Sequence, residues 1–170
     1  MIEYLRIFPF NILFTTQNVK YVKINMTKVR EDKSMNILYF LIPKNQVANI
    51  YDDSNLRQLM EKLEYHKYTA IPVIDHDGKY IGTVSEGDIL RVVKDKFNMN
   101  LQAAQGIMVR DIPRRTTILP VNANASMDDV LEMAIAQNFV PVTDDNNVFI
   151  GIVTRKEILK HFKDKLTGQN

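Results

Sequence analysis

Two short motifs in this chain have the spacing to do chemistry: Ser85-x-x-Asp88 and Thr154-x-x-Glu157. Each sets a hydroxyl three residues ahead of a carboxylate. The plainest use of that spacing is a capping box: the hydroxyl caps a helix and the carboxylate returns to the N-cap amide. The same arrangement can serve a ligand. A helix N-terminus presents free N–H groups and partial positive charge to a phosphate. A carboxylate beside it can accept from both hydroxyls of a ribose. Arg155 and Lys156 follow Thr154 directly. Cations there oppose the helix dipole, a local cost that favours an anionic ligand over simple solvation. Arg155 offers a planar fork suited to phosphate, Lys156 a point charge. Arg114 and Arg115 could face a cleft or solvent.

Thr69 and Ala70 precede Pro72. They read either as a strand running into the core or as part of an adenine site. In the second case the small Ala70 leaves room for the base while the Thr69 hydroxyl and backbone read its edge. Tyr68 is a candidate stacking wall or a buried ring. An enzyme would need more. His66, His76 and His161 lack metal-ligand spacing, and no nucleophile elbow or Gly-rich phosphate loop is present. Asp52-Asp53 and Asp128-Asp129 stand at helix starts, where acids offset the dipole.

The elements that must position these residues occur twice. Residues 68–94 and 137–163 align at a constant shift of 69, with nine of 27 positions identical, among them Pro72/Pro141, Asp75/Asp144, Gly82/Gly151 and Val84/Val153. Such a repeat predicts two copies of one unit packed about a pseudo-twofold axis. In the first copy Val47 to Ile50 reads as a short strand. Leu56, Leu59, Met60 and Leu63 then form one helical face. Ala70 to Ile74 is a buried strand, with Pro72 at its start where no ladder donor is needed. Asp77-Gly78 is a turn, Tyr80 to Val84 the return strand, and Ser85 opens a helix with Ile89, Leu90, Val93 and Phe97 as its apolar positions. The second copy repeats this. Thr117 to Leu119 is its first strand, and its first helix (Met127, Val130, Leu131, Ala134) is offset by 71. The hairpin runs through Phe139 to Val142 and Phe149 to Val153, and Ile158, Leu159, Phe162 and Leu166 follow. The expected fold class is α/β (α+β), two β-α-β-β-α repeats paired because each leaves apolar helix faces uncovered.

Residues 1–34 stand outside the repeat. They read as an N-terminal arm, or as the product of a start set too early. Arg30-Glu31-Asp32 can be encoded by a purine-rich ribosome-binding sequence just ahead of Met35. The expected organisation is an arm at 1–34, a first repeat at 35–97, a linker at 98–111, a second repeat at 112–166 and a tail at 167–170. The 170 residues carry a net charge of +2, too little to suggest nucleic-acid binding, and no cysteine, which excludes thiol catalysis and fits a reducing cytoplasm. The apolar run Ile7 to Phe14 is broken by Pro9 and Asn11 and falls far short of the ~20 residues that span a bilayer.

The pattern resembles the CBS domain in tandem (a Bateman module) over residues 40–165. The segments that carry the likeness are Ile71-Pro72-Val73-Ile74-Asp75 with Gly82 to Asp88, and Val140-Pro141-Val142-Thr143-Asp144 with Gly151 to Glu157. It is similar in particular to the small stand-alone CBS-pair proteins of Gram-positive bacteria that bind cyclic di-AMP, through Tyr68 to Val73, Ile107 to Arg114, Asn138 to Val140 and Val148 to Lys156. The resemblance implies ligand contacts at Gln46, Ala48, Thr69, Ala70, Arg155 and Lys156, which join Ser85, Asp88 and Thr154 as candidates. Gln46 stands where that group has lysine, and Lys156 where it has a second arginine. Asp88 looks more like the acid of AMP-type sites. The implied function is a cytoplasmic, homodimeric, non-enzymatic sensor. It would bind cyclic di-AMP, or alternatively AMP, ADP or ATP, between its repeats, with no metal or cofactor. It would signal to another protein, such as a metabolic or stringent-response nucleotide enzyme. The competing class is a structural interaction module with a vestigial site.

Overall fold

Capping chemistry sets the helices of the computed structural model, which describes residues 35–95 and 101–167. The arm 1–34, Phe97 and residues 168–170 of the tail lie outside the described residues. Strand β1 (Leu41–Pro43) comes first, and the first copy follows as β2 (Ile50–Tyr51), helix α1 (Leu56–His66), β3 (Ala70–Ile74), β4 (Tyr80–Ser85) and α2 (Glu86–Asp95). A short helix α3 (Leu101–Gln105) follows. The second copy is β5 (Val121–Asn122), α4 (Met127–Ala136), β6 (Phe139–Thr143), β7 (Phe149–Thr154) and α5 (Arg155–Thr167). Asn55 and Gln58 close a capping box on α1, and Ser126 and Asp129 close one on α4. Lys67 ends α1 in the left-handed conformation (φ 57°), turning the chain into β3.

The β-α-β-β-α order is present in both copies, with three differences from the sequence expectation. The first strand is β2 at Ile50–Tyr51, not Val47 to Ile50. Lys44–Gln46 forms a 3-10 turn closed by the Val47 N–H on the Lys44 carbonyl, and pairing begins only at Ile50 opposite Val73. The second copy's first strand is β5 at Val121–Asn122, opposite Val142 and Thr143, and not 117–119. Pro72 sits within the central strand β3, opposite Thr83. It is tolerated because β2 pairs only from Val73 onward, so its missing N–H falls beyond the end of the neighbouring strand.

The sheets are β2-β3-β4 and β1-β7-β6-β5. Strand β1 lies ahead of the first copy but pairs antiparallel with β7 of the second, Leu41 opposite Val153. Ile37 and Phe40 are buried in the second copy's core beside Val130, Val140 and Ile158. Gly151 permits this crossing, since a Cβ there would collide with the carbonyl oxygen of Ile42. Conversely, Ala104, Ile107, Val109 and Ile112 are buried in the first copy's core with Leu56 and Leu59. The Leu56 N–H donates to the Ile107 carbonyl at 2.7 Å and the Val109 N–H to Ser54 at 2.8 Å.

The copies meet at their hairpin turns. The Tyr80 N–H donates to the Asn147 carbonyl at 3.0 Å, and the Phe149 N–H to the Gly78 carbonyl at 2.9 Å. Each bond is the other moved by 69 residues, so the pseudo-twofold axis passes between Lys79 and Val148, which are themselves bridged. Gly78 (φ 80°) and Asn147 (φ 61°) take the same left-handed turn. Val47, Ile74, Tyr80, Phe149 and Ile152 form an apolar cluster between the sheets. The last helices divide their apolar residues. Ile89, Val92 and Ile158 are buried, while Leu90 is 68% exposed, Leu159 60% and Leu166 68%. Among the described residues no helix is long and apolar enough to cross a membrane.

Candidate ligand-binding site

A cavity of about 720 Å³ opens between the copies, within the usual ~300–1,000 Å³ range of small-molecule sites. Its walls obey the repeat. Lys67/Ala136, Tyr68/Gln137, Thr69/Asn138, Ala70/Phe139, Thr83/Ile152 and Ser85/Thr154 are pairs at the 69-residue shift, and Val47/Ile118 is a pair at the shift of 71. The cavity therefore lies on the pseudo-twofold axis. The N-termini of α2 and α5 open on it through Ser85 and Gly87 on one side and Thr154 on the other, giving it two clusters of partially positive N–H groups.

The two halves differ in charge. Among the described residues, Lys67, Arg91 and Arg115 line the cavity with a single carboxylate, Asp88; Lys67, Asp88 and Arg91 belong to the first copy, and Arg115 to the segment that leads into β5. The second half is greasier, with Phe139 where the first has Ala70 and Ile152 where it has Thr83. Three cations against one carboxylate suit a phosphate-bearing ligand.

Asp88 is 4% exposed. Its Oδ2 accepts from the Ser85 hydroxyl at 2.7 Å and the Ser85 N–H at 3.0 Å, and the Ser85 Oγ accepts the Asp88 N–H at 3.3 Å. Its Oδ1 accepts the Arg115 N–H at 2.9 Å. Burial pushes the carboxyl up, but the N–H of Arg115, the hydroxyl and N–H of Ser85 and the nearby Arg91 charge together hold it below its ordinary value. At Thr154 the hydroxyl accepts the Glu157 N–H at 3.2 Å. The segment 114–118 runs without strand pairing and walls the cavity. It is held by Asp88, by the Tyr80 hydroxyl donating to the Ile118 carbonyl at 2.9 Å, and by the Arg114 guanidinium on the Ile81 carbonyl at 3.2 Å. The Tyr80 hydroxyl also pairs with Thr83 at 2.8 Å, and its burial pushes its pKa up to about 12.

Of the candidate residues, Thr69, Ala70, Ser85, Asp88 and Thr154 converge on this cavity. Gln46 is exposed on the Lys44–Gln46 turn, and Ala48 packs against the first copy's core. Arg155 turns its guanidinium onto the end of α4, with Nε on the Ala134 carbonyl at 2.6 Å and Nη2 on Ile135 at 3.4 Å. There a cation satisfies helix-terminal carbonyls. Lys156 is exposed beside it. The cations that line the cavity are Lys67, Arg91 and Arg115. Arg91 was legible in principle, since it stands one helical turn after Asp88 and so shares its face. No three His, Asp or Glu side chains converge as metal ligands among the described residues.

The sequence pattern of the CBS domain matches residues 41–95 and 109–164. Cyclic di-AMP receptor B of Bacillus subtilis is 27% identical over 136 residues, which cover 77% of this chain and 88% of that protein. Among solved structures, CbpB in complex with c-di-AMP is similar at a TM-score of 0.73 and 30% identity, covering 84% of this chain and 95% of that one. CbpB from Streptococcus agalactiae is similar at a TM-score of 0.69 and 27% identity, covering 90% and 93%.

Proposed function

The chain belongs to the CBS-domain family, as a tandem pair, and on that premise we propose that it is a non-enzymatic regulatory protein that binds cyclic di-AMP between its copies. The observation that carries this reading is the placement of a cationic cavity on the pseudo-twofold axis. Cyclic di-AMP has two equivalent nucleosides joined by two phosphates. A cavity whose walls repeat across the axis offers each nucleoside a related surface, with Thr69, Ala70 and Ser85 on one side and Asn138, Phe139 and Thr154 on the other. Lys67, Arg91 and Arg115 answer the phosphates. The likeness to proteins described as cyclic di-AMP receptors supports the same reading. The protein works as a cytoplasmic homodimer and passes the state of its cavity to a partner, a nucleotide enzyme of metabolism or the stringent response.

Titration calorimetry and thermal shift with cyclic di-AMP, cyclic di-GMP, AMP, ADP and ATP test it. Cyclic di-AMP at 100 times its dissociation constant stabilises the fold by about 2.7 kcal/mol. Tighter binding of a mononucleotide replaces the ligand in this reading, and no shift with any of the five leaves a structural module.

A further inference from the structure

We propose that residues 112–114 are the first copy's counterpart of β1, kept from pairing with β4 by Pro113, and that the cavity wall which follows them, 115–118, is thereby a movable gate through which ligand enters and leaves. The movement does not depend on which ligand binds; its kinetic test rests on the cyclic di-AMP reading above.

The argument starts from the repeat. At the shift of 71 that relates Val47 to Ile118, β1 falls on Ile112-Pro113-Arg114. The two triplets are placed alike. Ile112 is buried in the first copy's core, as Leu41 packs against the second's. A Cβ on Gly151 would meet the Ile42 carbonyl, and a Cβ on Gly82 would meet the Arg114 guanidinium. Yet β1 forms a ladder with β7, while the sheet of the first copy ends at β4.

The direction of the backbone groups supplies the reason. The Asp52 N–H donates to the Ile74 carbonyl, so Ile74 faces β2, and so does Pro72 two residues earlier. Thr83 stands opposite Pro72 and therefore turns its own N–H and carbonyl to the open edge of β4. On either side of it that edge is served by side chains: Arg114 donates to the Ile81 carbonyl, and Asp88 accepts the Ser85 N–H. In the second copy the same position is Ile152, which lies opposite Ile42 of β1. In the first copy the place of Ile42 belongs to Pro113, which has no N–H to give the Thr83 carbonyl.

The wall is consequently moored by single bonds near its ends, at Arg114, Arg115 and Ile118, and not by a sheet. Between these moorings Thr116 and Thr117 are exposed. With Ile118 they line a second cavity of about 300 Å³ as well as the first. A stretch with open space on two sides and no ladder can swing at small cost. The matching stretch of the other copy cannot, because β1 ties it to β7 and Lys44–Gln46 closes as a 3-10 turn.

Two measurements on the full chain decide it. The first is amide hydrogen exchange without ligand. Thr83 should be at least about tenfold less protected than Ile152, and Pro113→Ile, which supplies the missing donor, should slow Thr83, Thr116 and Thr117 by about threefold to tenfold, the scale of one backbone hydrogen bond. Equal protection of Thr83 and Ile152, or no gain in the variant, overturns the unpaired strand. The second is stopped-flow binding of cyclic di-AMP. Pro113→Ile should slow association and dissociation together by about threefold or more, with Kd held within about twofold. Unchanged rates, or a change in one alone, overturn the gate. If Pro113→Ile does not fold, Pro113→Ala supplies the same N–H and is read the same way. If the wild type binds no cyclic dinucleotide, the ligand reading fails, and exchange at Thr83, Thr116 and Thr117 still decides whether the wall moves.

Discussion

Tyr80 and Phe149 stack across the pseudo-twofold axis, with ring centroids 6.2 Å apart and planes 29° from parallel. They are the same position in the two copies, and both are buried. The hydroxyl that Tyr80 alone carries reaches the wall of the cavity through Ile118. The joint between the copies is thus also a support of the site.

Phe149→Ala should cost about 3–5 kcal/mol of folding stability, the range for emptying a fully buried aromatic site. Tyr80→Phe keeps the ring and orphans the Ile118 carbonyl and the Thr83 hydroxyl, for a cost of about 1–3 kcal/mol. Urea midpoints check both. Equal stability of Tyr80→Phe and wild type would show the hydroxyl contacts contribute nothing.

The cations separate in the same way. Arg91→Ala and Arg115→Ala should each weaken cyclic di-AMP by about 1.5–3 kcal/mol, the scale of a charged hydrogen bond. Arg155→Ala should mainly lower the melting temperature, because its guanidinium serves the end of α4. Calorimetry and melting curves on the three variants test this division, and a ligand loss largest at Arg155 contradicts it.

His76 stacks on Tyr51 at 4.6 Å and pairs through Nε2 with Asp53 at 2.8 Å. The hydrogen bond to Asp53 and its charge raise the pKa of His76, and the hydrogen bond from His76 lowers that of Asp53. The pair's contribution should be fully present below the unfolded His pKa and fade as pH rises through the raised folded value. At the acid end it should fade as pH falls through the lowered Asp53 value. Urea midpoints of wild type and His76→Gln should therefore differ most in mildly acidic solution and converge at alkaline pH. A gap that persists at alkaline pH rules the pair out as its source.

Leu90, Leu159 and Leu166 are exposed on α2 and α5, and Leu90 and Leu159 are equivalent in the repeat. Covering them with a second copy gives a closed twofold dimer. Sedimentation should find twice the 19.7 kDa chain mass, and Leu90→Glu with Leu159→Glu should return it to one. A wild type that stays at 19.7 kDa at every practical concentration refutes the dimer.

The repeat, the hairpins and the helix faces were legible because they rest on local periodicity and turn chemistry. Strand positions 50–51 and 121–122 were not. The local pattern favoured Val47 and Ile118, and only tertiary pairing showed that these side chains belong to the space between the copies. The hydrogen bonds of Arg155 were hidden for a related reason. Its position after Thr154 marks a helix start, but a sequence does not show that the end of another helix lies within reach. Asp88 was legible as a cap; its second partner, Arg115, lies 27 residues away.

The pairing of Leu41 with Val153 spans 112 residues of chain (153 − 41). As the polypeptide leaves the ribosome, the first copy and the turns that complete its core can settle early. Ile37, Phe40 and β1 cannot, because the second copy's core and the strand β7 they join are made last. Such distant closure is slow, and the waiting strand is an unpaired edge while it lasts. The two copies are therefore not separable modules. Cutting the chain between them would leave the second without its outer strand, and the first trailing an apolar segment with nowhere to go.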